Sequence, residues 1–400
     1  MVGCELITVA SCRLPVFELK TGNSQHKLLT KNYTRLMKKI VATTTALFTL
    51  LLILSNCQFG NKGIVIPVEP YEKLSQYQFF KGNLADLQPN DRVIPYDLNS
   101  PLFSDYAHKA RFVWMPEGTS ANYTTGEVLD FPEGAVLIKN FYYENDETDA
   151  SKGRRIMETR LLVNRGAEWE AIGYIWNEEQ TEAFHEVVGD IKEVAWTDTE
   201  GKVQAINYII PNKNQCKSCH LKGKKQIPIG PKVRNLNKSF AYTDGEMNQL
   251  DKWASVGYLS GYDAQREHPK VAVWDDTKSG GIHDRAMAYL DINCAHCHNK
   301  NGSANTSGLH LNADEDLDLN LGIFKATVSA GAGTGGFTYS IVPGHPEESI
   351  MIYRMSSLNP GAMMPELGRS TVHDQGVELI SNWIAQMEEK PEMRQRAALR

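Results

Sequence analysis

The sequence predicts a multidomain protein: a β-rich N-terminal domain, a meander or sandwich, followed by mainly α domains. Three observations of the 400-residue chain favour this fold class. Runs of β-branched and aromatic residues alternate with turns over residues 70–210. Every cysteine beyond position 57 lies in one of two Cys-x-x-Cys-His motifs. Helical apolar periodicity surrounds the second of these motifs.

The β-rich domain is assigned to residues 58–205. Its strand signal is carried by segments 135–143, 160–163 and 171–176, which are rich in Val, Ile, Leu and aromatic residues. Turns such as 164–166 separate these segments at spacings of about ten residues, typical of an antiparallel meander or sandwich. The tryptophans of this domain are expected in its core. No motif in it points to a ligand.

The N-terminus has the features of an export signal over residues 37–57. A basic start is followed by an apolar run at 40–54, which is shorter than the roughly 20 residues that a spanning helix needs. The run ends in Leu-Ser-Asn-Cys, which resembles the lipobox of bacterial lipoproteins, so Cys57 is the candidate lipidation site. Simple signal-peptidase cleavage is the alternative. We interpret residues 1–36 as an extension from a start codon assigned too far upstream.

Two motifs carry the candidate chemistry. The first motif is Cys216-Lys217-Ser218-Cys219-His220 and the second motif is Cys294-Ala295-His296-Cys297-His298. Two thiols one short turn apart can form thioethers with the two vinyl groups of a porphyrin, and the following histidine can bind its iron. The sequence therefore predicts two covalently bound haems c. A zinc site, or disulfides within the pairs, are the alternatives. The candidate haem-binding residues are Cys216, Cys219, His220, Cys294, Cys297 and His298.

The second half of the chain is divided into a first haem c segment, 206–280, a class I cytochrome c-like domain, 281–390, and a tail, 391–400. Helices are expected over 282–293 and 371–389, on either side of the second motif and a long glycine-containing loop. Helix, motif, loop and closing helix is the order of a small class I cytochrome c. In that fold the first and last helices cross, and the loop carries the second iron ligand.

Met364 is the candidate second ligand of the second haem. It precedes Pro365, a pair that resembles the Met-Pro of many such cytochromes, and a thioether sulfur favours ferrous iron. Met363 is the less favoured neighbour, and both could instead fill the core. For the first haem the second ligand stays open, and it could also be absent. The candidates are Met247, His268, His283, Met287 and His296.

With these residues placed, the chain resembles an uncharacterised family of exported bacterial dihaem c-type cytochromes. The resemblance spans about residues 70–390. It implies two covalent haems and an extracytoplasmic location, in the periplasm or at the outer membrane, but it brings no substrate or partner. The segments that carry it are 96–106, 208–216, 229–237, 342–346 and 363–368.

The charge of the chain bears on its partners. Residues 1–56 contain seven Lys and Arg and two acidic residues, so without them the 42 basic and 48 acidic residues become 35 and 46, a formal charge of −11. This disfavours nucleic acid and anionic membrane surfaces, and it suits a redox partner with a basic surface. A lipid anchor at Cys57 would tie the protein to a membrane.

We therefore expect an electron-transfer protein, because an iron with two protein ligands leaves no site for substrate. The alternative is an enzyme, a dihaem peroxidase or oxidase with an open iron at the first motif. A third class is a binding lipoprotein whose β-rich domain captures a ligand or protein.

Overall fold

A computed structural model describes residues 31, 33–44, 63–328 and 331–389. Cys57, most of the predicted signal segment and the predicted tail therefore lie outside the described residues. The chain divides into two compact units, Met1–Gly63 and Ile64–Arg400. In the first unit a helix, α1, covers residues 33–44. The described part of the chain contains no helix long and apolar enough to cross a membrane.

The second unit is built on one six-stranded antiparallel sheet. In spatial order its strands are β1 (Ile94–Tyr96), β2 (His108–Trp114), β4 (Val136–Glu144), β5 (Arg154–Asn164), β6 (Trp169–Trp176) and β7 (Ala183–Glu186). Consecutive strands are neighbours except for β3 (Ala121–Asn122), which leaves the sheet. The sheet is thus a meander, and its central strands β4 to β6 cover the three segments that carried the strand signal.

Both faces of this sheet are buried. On one face, Phe112, Ile138, Leu161 and Tyr174 form a core with aromatic residues from the chain between positions 64 and 93. On the other face, Leu137 and Leu162 form a second core with residues that follow the first motif, Val233, Leu236 and Trp253. Because side chains of a strand alternate between faces, this second face presents the odd-numbered positions of β4 and the even-numbered positions of β5 from Glu158 onward. A bulge shifts the register before Glu158, so Ile156 lies in the core of the first face.

The chain after the sheet consists of short elements and loops. A hairpin of β8 (Asp190–Thr197) and β9 (Val203–Ile210) leads to the first motif. The elements that follow are α2 (Lys213–His220), β10 (Leu221–Lys222), β11 (Lys225–Gln226), α3 (Val233–Leu236), β12 (Ser239–Tyr242), β13 (Gly245–Asn248), α4 (Gln249–Ser255), β14 (Leu259–Ser260), α5 (Ile282–Asn293), α6 (Ile350–Ser356) and α7 (Asp374–Ala385).

Helices α5 and α7 pack against each other around the second motif, burying Leu290, Ile380 and Trp383. Gly376 makes the close approach possible, because a Cβ atom there would lie 2.3 Å from the Tyr289 hydroxyl oxygen. The structure thus contains both helices expected for this region. The second is shorter than the predicted 371–389, because Thr371 is instead hydrogen-bonded to Asp105 ahead of the helix.

The expectation of mainly α haem domains is wrong. The second unit is mostly β, and α3 and α4, the only helices described between the motifs other than α5, have four and seven residues. Strand β14 pairs with β3 of the N-terminal half, so the segment after the first motif extends β structure. The physical reason is that Val233, Leu236 and Trp253 bury their apolar surface against the sheet. Long helices packed on each other are therefore not needed there.

Candidate functional site

A cavity of about 190 Å³ lies between the second face of the sheet and the two motifs. The sheet contributes Leu137, Lys139, Arg160, Leu162 and Ala171 to its wall. Both cysteines and the histidine of the first motif also line the cavity, and so do one cysteine and one histidine of the second motif. The residues from the motifs and from the loop before α7 are Cys216, Cys219, His220, Cys294, His296 and Met364.

Helix α2 positions the first motif. It begins after Asn212, whose side-chain oxygen accepts a hydrogen bond from the Gln215 amide at 2.9 Å, while the Gln215 side chain accepts one from the Asn212 amide at 2.9 Å. This reciprocal cap satisfies two amides that a helix start leaves free. It fixes the first turn directly before Cys216, so that Cys216 and Cys219, both half-buried, lie on one short helix.

His220 ends helix α2 and is prepared as a neutral ligand. Its Nδ1 atom lies 2.7 Å from the Ile227 carbonyl oxygen. Since a carbonyl only accepts, Nδ1 carries the proton and the lone pair is on Nε2. Burial lowers the pKa of His220 to about 4, so the imidazole is neutral at physiological pH. A neutral imidazole with its second nitrogen hydrogen-bonded to a carbonyl is the form that binds metals.

The second motif follows α5 directly. Burial also lowers the pKa of His298 to about 4, and its Nδ1 lies 3.1 Å from the Ser307 hydroxyl. Cys294 and His296 line the cavity, whereas Cys297 and His298 are not among the lining residues. Cys297 instead faces Cys219 of the first motif, and the contact between the two thiols raises the pKa of Cys219 and lowers that of Cys297. The two motifs are therefore neighbours in space.

Neither alternative for the cysteines is formed in the described residues. Cys216, Cys219, Cys294 and Cys297 are all free thiols. Within those residues, the one group of His, Cys, Asp and Glu side chains arranged to hold a metal ion is an exposed group at His345, Glu347 and Glu348. The cysteines are thus arranged neither as disulfides nor as a four-ligand zinc site.

The loop that carries Met364 is held by two arginines. The Arg354 Nε donates to the Ala362 carbonyl at 2.9 Å, and Arg369 Nη2 donates to the Met364 carbonyl at 3.1 Å. The Met364 amide in turn donates to the Arg354 carbonyl at 3.0 Å. Met364 is half-buried and lines the cavity, while Met363 is buried and is not among the lining residues. These contacts fix the backbone at Met364.

The five candidates for a second iron ligand at the first motif differ in whether they line the cavity. His296 lines the cavity, and its Nδ1 is buried without a hydrogen-bond partner in the described structure. The other four candidates do not line it. Met247 is exposed on the β12–β13 hairpin, and Met287 is buried in the core between α5 and α7.

The two remaining histidine candidates are engaged elsewhere. His268 lies 2.6 Å from the Tyr123 hydroxyl and 3.0 Å from the Asp263 carbonyl oxygen, so both of its ring nitrogens have partners. His283 accepts a hydrogen bond at its Nδ1 from the Trp383 indole at 3.2 Å.

The basic residues in the cavity wall were missed from the sequence. Arg111, Lys139 and Arg160 come from three adjacent strands, and Arg369 follows the Met364 loop. The sequence holds no signal that these three residues are adjacent, because their pairing follows from the register of the strands. Alternation alone would have placed Lys139 and Leu137 on the same face.

The cavity fits a large ligand that is apolar with acceptor groups at its edge. Its wall combines Leu and Ala side chains with cations, and three buried nitrogen atoms on its lining residues have no hydrogen-bond partner in the described structure. These atoms are Arg111 Nη2, His296 Nδ1 and Arg369 Nε. The two guanidinium nitrogens can only donate, and buried donors without partners are rare in proteins and indicate a missing acceptor. A haem, with an apolar macrocycle and two propionates, has this chemistry.

Comparison with known proteins adds no relative: no family model, no curated protein and no solved structure matches the chain. The resemblance to exported dihaem cytochromes therefore stays a prediction from the sequence. What the fold and the site define is a mostly β protein in which two thiol–imidazole motifs meet at one cavity.

Proposed function

We propose that this protein is an exported dihaem c-type cytochrome that transfers electrons. One haem would be bound covalently by Cys216 and Cys219, and the other by Cys294 and Cys297. The observation that carries the proposal is the shared cavity, whose wall includes the first motif, Cys294 and Met364. Distant parts of the sequence thus supply thiol, imidazole and thioether groups to one place.

The haems would supply one-electron redox chemistry, and the chain holds their ligands in place. His220 presents a neutral imidazole because its other nitrogen donates to Ile227. Met364 is held by backbone contacts to Arg354 and by the Arg369 guanidinium. Ligands that are fixed before electron transfer need little rearrangement during it, which favours a carrier over an enzyme.

The proposed setting is extracytoplasmic, because thioethers of this kind are formed outside the cytoplasmic membrane. A signal segment ending at Cys57 would supply a lipid anchor in the periplasm or at the outer membrane. The excess of acidic residues suits a partner with a basic surface, since opposite charges speed association. The proposed partner is accordingly a basic redox protein, not a nucleic acid.

Optical and EPR spectra of the haem-loaded protein test this function. The protein would be measured oxidised, then reduced, then reduced under carbon monoxide. For a carrier we expect two low-spin haems, a methionine-to-iron charge-transfer band, and no change on adding carbon monoxide. A preparation that carries no covalent haem would contradict the proposal, and so would carbon monoxide binding at both irons.

The second candidate function is a dihaem peroxidase or oxidase with an open iron at the first motif. It is favoured by the finding that Met247, His268, His283 and Met287, four of the five candidates for a second ligand at the first motif, do not line the cavity. Carbon monoxide binding at one haem, together with reduction of hydrogen peroxide, would support this enzyme over the carrier. A His296→Ala variant that gains carbon monoxide binding would instead show that His296 closes the first iron in the native protein.

A further inference from the structure

Three cations form one row across the second face of the sheet. Arg111 on β2 is paired with Lys139 on β4, and Lys139 is paired with Arg160 on β5. The row continues to Gly173 on β6, which adds no side chain. Directly opposed residues of an antiparallel sheet have Cβ atoms about 5 Å apart, so like charges there repel each other. Such a row needs anions to be stable.

The carboxylates of the protein neutralise this row only in part. Arg111 Nη1 lies 2.7 Å from Asp97, but Asp97 is shared with Lys238, whose Nζ lies 2.9 Å from it. Arg160 binds Glu158 through two nitrogen atoms, at 2.7 and 2.5 Å. Lys238 and the three cations of the row therefore face two carboxylates, so the protein neutralises the row only in part.

Lys139, at the centre of the row, forms no ion pair within the described residues. Its ammonium instead lies 4.6 Å from the centre of the Phe141 ring. Burial, followed by repulsion from Arg111, lowers the pKa of Lys139 well below its usual value. Burial also lowers the pKa of Lys109, one row along the same face, to about 7, although the nearby Asp105 favours its charged form. An anion in the cavity would relieve the repulsion at Lys139.

Arg111 gives a second, independent indication of a missing anion. Its side chain is only 4% exposed, and its Nη2 atom is buried without a hydrogen-bond partner in the described structure. A buried guanidinium nitrogen without a partner has lost its hydrogen bonds to water and gained none in the protein, which is unfavourable. A planar guanidinium binds a carboxylate with two nitrogen atoms, so an acceptor in the cavity would satisfy this atom.

A row of apolar side chains lies beside the cation row and runs in the same direction across the sheet. Leu137, Leu162 and Ala171 are paired across β4, β5 and β6, and all three line the cavity. Arg160 and Cys216 of the first motif both line the cavity. The wall of the cavity thus offers an apolar strip beside a strip of cations that the protein neutralises only in part.

We infer that Arg111, Lys139 and Arg160 bind the two propionate carboxylates of the haem attached at the first motif. This inference rests on the proposed function. It gives the β-rich region a role: its sheet is one wall of a haem site, with the macrocycle against the apolar row and the propionates against the cation row.

The test uses the full-length, haem-loaded protein with carbon-13 in the propionate carboxylates, introduced through labelled 5-aminolevulinate. Redox-difference infrared spectra report the labelled carboxylate bands directly. In Lys139→Met we expect these bands to shift and the midpoint potential of one haem to fall, because a nearby cation stabilises the reduced form. Lys139→Arg keeps the charge and should restore both readings.

Lys109→Met is the matched control, because it removes a lysine from the same strand face but one that does not line the cavity. It should leave the labelled bands in place. Arg160→Lys tests the contact of Arg160 with the propionates, because it removes the planar guanidinium and keeps the positive charge. This variant takes the place of Lys139→Met if Lys139→Met does not fold. Unshifted bands in Lys139→Met and Arg160→Lys, or equal shifts in Lys109→Met, would overturn the inference.

Counting the covalent haems in each preparation distinguishes a failure of the proposed function from a failure of the propionate assignment. A wild-type protein without covalent haem contradicts the proposed function itself. A protein with two covalent haems whose propionate bands ignore Lys139 and Arg160 contradicts only the assignment of the cation row.

Discussion

Arg234 and Asp291 form a buried ion pair that ties the segment after the first motif to the helix before the second. Arg234 Nη2 lies 2.7 Å from Asp291 Oδ1, and its Nε lies 3.2 Å from Oδ2. Lys232 adds a third contact at 3.2 Å, and the Asp291 side chain is 1% exposed. This contact sets the position of α5, and therefore of the second motif, relative to α3.

Asp291→Asn should destabilise the protein by about 3–5 kcal/mol, because it leaves Lys232 and Arg234 buried without a carboxylate. Denaturant unfolding followed by circular dichroism measures the loss. The matched control is Asp244→Asn, which breaks the exposed ion pair with Lys252 and should cost at most about 1 kcal/mol. Equal losses in the two variants would contradict the importance of the buried pair.

The same ion pair predicts an acid-sensitive stability. Burial alone would raise the pKa of Asp291, but Lys232 and Arg234 outweigh it and hold the pKa below its usual value. The stabilisation is therefore fully present above the pKa of the unfolded chain and is lost as pH falls through the folded pKa. Stability of the wild type should fall in this acid range more steeply than that of Asp291→Asn. Parallel curves for the two proteins would refute the linkage.

Asp105 fixes the chain just before α7. Its carboxylate accepts hydrogen bonds from the amide and hydroxyl of both Ser370 and Thr371, at 2.7 to 2.9 Å. Asp105→Ala should cost about 3 kcal/mol or more, because it leaves buried donors without an acceptor. Thermal unfolding measures this cost. A loss below about 1 kcal/mol would mean that water replaces the carboxylate.

Met364→Ala should remove the methionine-to-iron band and lower the potential of one haem, because a thioether favours the ferrous state. Visible spectra and redox titration measure these changes. Met363→Ala is the control: Met363 is buried, so the variant should lose about 2–5 kcal/mol of stability and keep the band. If only Met363→Ala removed the band, the ligand would be Met363.

Replacing both Cys216 and Cys219 by Ala should leave one covalent haem per chain instead of two. Replacing both Cys294 and Cys297 should also leave one, because in the proposed function each motif attaches its own haem. Haem-specific staining and mass spectrometry of the unfolded protein count the attached groups. Two haems remaining in either variant would contradict independent attachment.

Local patterns predicted the elements of this protein better than its fold class. The strands β4, β5 and β6 lie on segments with β-branched and aromatic runs, and α5 lies on an amphipathic repeat. These signals are local, because alternation and helical spacing depend on neighbouring residues. The prediction of mainly α domains failed because α3 and α4 pack on the sheet, a long-range contact that periodicity does not report.

The candidate site also combines features that local sequence shows with features that only long-range contacts decide. The sequence by itself determined the chemistry of the two motifs, because the order of thiols and imidazole is set by the chain. It also favoured Met364 for the second haem, but for the first haem it left Met247, His268, His283, Met287 and His296 as open candidates. Only the tertiary structure decided which of these candidates line the cavity.

The sequence likewise contains Arg111, Lys139 and Arg160, yet nothing in it shows that they are adjacent. The register of β2, β4 and β5 alone places them in one row. Motif chemistry is encoded by residues that are consecutive in the chain, so it can be recognised locally. The wall of the cavity is encoded by strand pairing and burial, which are free energies of the whole fold, and it therefore emerges only when the chain is folded.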